Sequence, residues 1–116
     1  MIQGIHHLAL IVRDGECVTF YRKIGFEVFK RIERKYDTIF LLRGYGIQLE
    51  LFVDQNHPSR SNPEPLGLRH LAFYVDDIEK TLQMLGLGTV SISYDWVGEK
   101  YCFIADPDGN TIEFHE

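Results

Sequence analysis

The chain has 116 residues, of which 45% are apolar and 25% charged, the balance of an ordinary globular domain rather than of a disordered chain. Net charge is −5 with Lys and Arg scattered along the chain, which argues against nucleic acid as a partner. No apolar run approaches the roughly 20 residues that span a bilayer, so no membrane partner is expected.

The opening residues, Met1 to His7, lack a basic segment followed by an apolar stretch, so no signal peptide is expected. Cys17 and Cys102 form no Cys-x-x-Cys pair and read as reduced thiols of a cytoplasmic protein. Residues 5–12 alternate and are rich in Ile, Leu and Val, which predicts a strand. Asp14 is placed to cap a helix carrying Val18, Tyr21 and Ile24 on one stripe, and Gly25 ends it. Strands are predicted at 26–32, 38–42 and 47–53. Residues 54–66 contain three prolines and many polar residues, and read as a linker. A strand at 68–75, a helix at about 77–86 starting near Asp77, and strands near 89–94, 101–105 and 111–115 complete the chain. Asp106-Pro-Asp-Gly109 has the composition of a tight turn.

The second set of elements repeats the first. Gly4-Ile-His-His-Leu-Ala-Leu-Ile-Val-Arg-Asp14 matches Gly67-Leu-Arg-His-Leu-Ala-Phe-Tyr-Val-Asp-Asp77 at an offset of 63 residues. The same offset, taken without a gap, pairs Gly25 with Gly88, Phe40 with Phe103, Gly46 with Gly109 and Glu50 with Glu113. Two βαβββ modules follow, about 1–53 and 67–116, within a single domain spanning 1–116, of α+β class.

Side chains alternate across a strand. His7, Ala9 and Ile11 therefore share one face, as do Gln48, Glu50 and Phe52, then His70, Ala72 and Tyr74, and Thr111, Glu113 and His115. The opposite faces are apolar and suit packing under the helices. His7 and Glu50 are 43 residues apart, and so are His70 and Glu113. Singly, a strand histidine is usually packed and a strand glutamate usually solvated. Repeated with equal spacing and matching parity, they form a nitrogen and oxygen ligand set for a divalent first-row metal, with His7, Glu50, His70 and Glu113 as ligands. Each ligating histidine then needs an acceptor for its second ring nitrogen. His6 competes with His7 but aligns with Arg69, so the repeat favours His7; His57 and His115 lack repeat partners and read as bystanders.

These segments, with Phe20-Tyr-Arg-Lys-Ile-Gly-Phe26, Ile47-Gln-Leu-Glu-Leu51 and Asp106-Pro-Asp-Gly-Asn-Thr-Ile-Glu-Phe114, resemble the vicinal oxygen chelate superfamily, in particular its glyoxalase I branch and its small bacterial members. The resemblance implies the glyoxalase, bleomycin resistance and dioxygenase fold, with two tandem modules forming a curved eight-stranded half-barrel. It implies a lactoylglutathione lyase-like isomerase acting on the hemithioacetal of a 2-oxoaldehyde such as methylglyoxal. Ni²⁺, Co²⁺ or Zn²⁺ is implied as cofactor, with Mn²⁺ and Fe²⁺ also compatible. The metal would act as a Lewis acid while Glu113, with Glu50 as its counterpart, moves the proton. A homodimer is implied, with His and Glu pairs drawn from two chains or from one. Other readings on the same scaffold are a methylmalonyl-CoA epimerase-like enzyme, a thiol transferase, a dioxygenase, or a non-catalytic ligand-binding module. The chain is shorter than typical glyoxalase I around residues 86–100, and Arg13, Arg31 and Arg34 are the candidates for holding a carboxylate of the substrate.

Overall fold

Strand β1 (Leu8–Val12), helix α1 (Gly15–Lys23) and strands β2 (Glu27–Glu33), β3 (Thr38–Gly44) and β4 (Ile47–Val53) make up the first half of the computed structural model, which describes residues 1–116. Strand β5 (Leu71–Tyr74), helix α2 (Ile78–Leu85) and strands β6 (Ser93–Tyr94), β7 (Lys100–Ala105) and β8 (Thr111–His115) make up the second. The chain divides into two compact units, Met1–Ser59 and Arg60–Glu116, each with one four-stranded sheet. The sheets have orders β1-β4-β3-β2 and β5-β8-β7-β6, so both halves follow one topology. Hydrogen bonding does not join the eight strands into a closed barrel. No helix is long and apolar enough to cross a membrane.

Both helices start where their caps dictate. Asp14 accepts from the Glu16 amide at 3.0 Å, and Asp77 from the Lys80 amide at 2.9 Å. Each helix covers the apolar face of its own sheet. Cys17, Val18 and Tyr21 of α1 are buried with Val12, Leu42, Leu49 and Leu51 in the first unit. Ile78 and Leu82 of α2 are buried with Cys102, Ile112 and Phe114 in the second.

Three predicted strands are shorter than expected. β1 begins at Leu8 and β5 at Leu71, because the parallel ladders to β4 and β8 start there, so His7 and His70 stand just ahead of their strands. β6 keeps only Ser93 and Tyr94 of the predicted 89–94, since only these two pair with β7.

The turn between β3 and β4 is the tightest connection. Tyr45 and Gly46 both have positive φ, +53° and +75°, and Gly44 pairs directly with Ile47. Two central residues with positive φ define the primed hairpin turn that matches strand twist. Tyr45 then reaches back and donates its hydroxyl to the Ile24 carbonyl. Its ring end fills the space beside Gly25, where a Cβ would lie 2.0 Å from the Tyr45 hydroxyl.

The ungapped repeat needs one correction. Leu41 pairs with Glu50 in the first unit, but Phe103, not its successor, pairs with Glu113 in the second. Four residues separate the paired Arg43 and Gln48; five separate the paired Ala105 and Thr111. The third strand of the second unit is thus displaced by one residue. A displacement of one turns every side chain of a strand to the other face. Phe40 therefore lies on the core side, while Phe103, its partner at offset 63, lies on the face of Glu113.

Candidate metal centre

In the first unit the parallel β1–β4 ladder sets Ala9 opposite Glu50. His7, two residues before Ala9, shares that face. Its Nδ1 lies 3.3 Å from Glu50 Oε2. Gln48, one step along β4 on the same face, donates its amide to Glu50 Oε2 at 3.1 Å. The structure also brings in His6, whose Nδ1 is 2.8 Å from His7 Nδ1. His6, His7 and Glu50 offer ligand atoms within 4.8 Å of one another.

In the second unit Ala72 stands opposite Glu113, and His70 Nε2 lies 3.5 Å from Glu113 Oε1. Phe103 sits edge-on to the His70 ring at a centroid distance of 5.4 Å. His70 Nδ1 is buried without a hydrogen-bond partner. The acceptor expected behind a ligating histidine is therefore missing here, and the Phe103 ring packs against the imidazole instead. Arg69, the repeat counterpart of His6, turns away to Glu64 at 2.6 Å.

The donor set fits a divalent ion. The Glu50 and Glu113 side chains are only 16% and 15% exposed, and neither has a lysine or arginine partner. A carboxylate so placed needs a counter-charge. Two ligands held at about 2.1 Å with tetrahedral angles lie about 3.4 Å apart. The distances of 3.3 and 3.5 Å match that edge better than they match a hydrogen bond.

A second cluster escapes the repeat. His115 Nε2 is 3.1 Å from Asp95 Oδ2, and its Nδ1 is 2.8 Å from the Glu116 carbonyl and 3.6 Å from Glu99. Asp95 Oδ1 accepts from the amides of Val97 and Glu99 at 3.0 and 2.9 Å. The amide of Glu99 chiefly, with that of Val97 and the His115 ring, holds the Asp95 carboxyl below the usual range. The Glu116 carbonyl chiefly, with Asp95, raises His115. His115, read from sequence as a bystander, is thus the post to which the 95–99 turn is tied. At offset 63 it maps onto Phe52, so the repeat carried no signal for it; its parity with Glu113 did. His57 contacts only its neighbour Asp54, at 3.3 Å.

Two like sheets, each presenting a His–Glu pair at the same place, define a tandem βαβββ protein. The family model described as Glyoxalase/Bleomycin resistance protein/Dioxygenase superfamily matches residues 4–114, and the chain belongs to that superfamily. The uncharacterized protein YwkD of Bacillus subtilis (strain 168) is 36% identical, over all of this chain and 98% of that protein. The crystal structure of the glyoxalase family protein from Enterococcus faecalis superposes with a TM-score of 0.86 at 36% identity, covering 98% of both chains. Lactoylglutathione lyase from Agrobacterium tumefaciens superposes with a TM-score of 0.70 at 23% identity, over all of this chain and 95% of that one, a likeness of fold.

Proposed function

We propose that this protein is a metal-dependent isomerase of the glyoxalase I type, acting on the hemithioacetal of a 2-oxoaldehyde such as methylglyoxal with a small thiol. The observation that carries the reading is the pair of His–Glu sets, each 43 residues apart, with donor atoms at 3.3 and 3.5 Å. In this reading His7, Glu50, His70 and Glu113 hold one divalent ion, Ni²⁺, Co²⁺ or Zn²⁺, with Mn²⁺ or Fe²⁺ as substitutes. Held there, a divalent ion would supply Lewis acidity to the substrate.

The chain supplies the rest. Glu113 takes the proton from the carbon bearing the hydroxyl and returns it to the adjacent carbon. Glu113 suits the role because no side-chain donor ties it, whereas Glu50 is engaged by Gln48. The protein acts as a homodimer in this reading.

The test is elemental mass spectrometry of the purified protein, sizing by light scattering, and a methylglyoxal–glutathione isomerase assay after loading with Ni²⁺, Co²⁺ or Zn²⁺. Near one metal per chain, a dimer and turnover are the expected results. Metal without turnover moves the reading to an epimerase-like, thiol transferase or dioxygenase reaction. No uptake of any metal leaves a ligand-binding module.

A further inference from the structure

The arginines singled out by sequence are already engaged. Arg34 grips Asp37 through two contacts of 2.7 and 2.6 Å, Arg31 lies 2.8 Å from Glu33, and Arg13 donates to Ser59 at 2.6 Å. Arg43, which the repeat matches with Asp106 and not with a second cation, is differently placed. It pairs with Gln48 across β3 and β4, and so lies on the face of Gln48, Glu50 and His7. A step of two residues along a strand and one across it sets its Cα roughly 8 Å from that of Glu50.

Arg43 is held without being neutralised. β2 carries a bulge between Val28 and Lys30, and the extra residue, Phe29, lies against the Arg43 guanidinium at 4.9 Å. A cation on an aromatic face keeps its N–H edge available for a second partner. Glu27 stands opposite Arg43 on β2 but forms no ion pair with it. Arg43 also lines an open surface cleft of about 620 Å³ with His6, Glu27, Gly44, Gly46 and Gln48. That volume accommodates a small organic molecule.

We infer that Arg43 is the anchor for a carboxylate of the substrate, so that the small thiol part of the substrate carries a carboxylate, seated on the face of the His7–Glu50 pair. The inference rests on the proposed isomerase reading for what is turned over, but the anion site stands on its own geometry. A planar carboxylate matches the two-pronged donor edge of arginine. The Glu27 charge favours a singly charged carboxylate over a doubly charged phosphate.

The test uses the full-length protein, stripped of metal, and NMR titration with sodium acetate, uncharged acetamide and inorganic phosphate. Acetate is expected to shift the Arg43 Nε–Hε signal and the Gly44 and Gln48 amides along a saturating curve, while acetamide does not. Arg43→Gln should weaken that curve at least tenfold, and Arg43→Lys should fall between, since it keeps the charge and loses the fork. An acetate curve unchanged in Arg43→Gln, or one that never saturates, would overturn the site. Phosphate saturating before acetate would overturn the carboxylate assignment. The metal reading fails separately, by the absence of metal uptake, and leaves the acetate curves to judge Arg43 alone.

Discussion

Glu113 and Glu50 occupy equivalent positions and differ in what surrounds them. Glu50 receives the Gln48 amide and has two histidines close by, whereas Glu113 faces His70 with the Phe103 ring beside it. Glu113→Gln keeps the shape and removes the charge, so the fold should persist. Turnover should drop by at least a hundredfold and metal content should fall, read by elemental analysis and the isomerase assay on one sample. Unchanged turnover would remove Glu113 from the chemistry. His6→Ala should retain the metal because the repeat matches His7, not His6, with His70; loss of metal would make His6 the ligand. The spacing of 43 residues exposed the two His–Glu pairs in the sequence. Arg43 stayed hidden because at offset 63 it falls on Asp106, a buried turn residue that accepts from the Asp108 and Asn110 amides.

Among the elements, the α1–β2 junction and the β6–β7 turn make different demands. The α1–β2 junction needs glycine at position 25 on two counts, a φ of +118° and the Tyr45 hydroxyl against it. Gly25→Ala is therefore expected to destabilise by about 1–3 kcal/mol through the backbone alone. Adding Tyr45→Ala should relieve the crowding while leaving the backbone cost, which denaturant unfolding of the single and double variants will separate. The 95–99 turn depends on pH instead. Asp95 has a lowered pKa in the fold, so its contribution is complete above the ordinary carboxylate value of about 4 and is lost as pH falls through the lower folded value. His115 is raised, so its contribution is complete below about 6.5 and is lost as pH rises through the raised value. Hydrogen-exchange protection of the Val97 and Glu99 amides should accordingly be greatest between about pH 4 and 6.5, and Asp95→Ala should abolish the acid limb. Protection that stays flat into strong acid would show that Asp95 does not hold the turn. Element positions were readable where periodicity and caps coincide, as at Asp14, Asp77 and residues 47–53. At 89–94 the alternating, β-prone stretch predicts a full strand, but only Ser93 and Tyr94 find a partner strand.

For the whole molecule, the repeat was the strongest signal in the sequence, since it revealed two copies of one topology and matched each histidine with a glutamate. It was also the source of the principal error. An ungapped offset assumes equal turns, but the two-residue Tyr45-Gly46 turn and the longer Asp106–Asn110 turn differ by one residue in the pairing they enforce. Turn length is a local matter of positive φ at Tyr45 and Gly46 on one side and of the Asp106 side chain gripping Asn110 on the other. Alternation within β3 or β7 alone does not report it, because both faces of these strands carry apolar residues.

That single residue also bears on how a duplicated gene acquires two different halves. A one-codon change in a turn leaves the histidine, the glutamate and the helix of a copy untouched, yet exchanges the whole set of side chains that its third strand shows on the face of the glutamate. One half thereby presents Ile39, Leu41 and Arg43, the other Tyr101, Phe103 and Ala105, without a substitution being needed for the exchange. The copies are no longer interchangeable. A chain rebuilt from two first halves would keep the repeated His–Glu pair but would carry Arg43 twice and lack Tyr101 and Phe103.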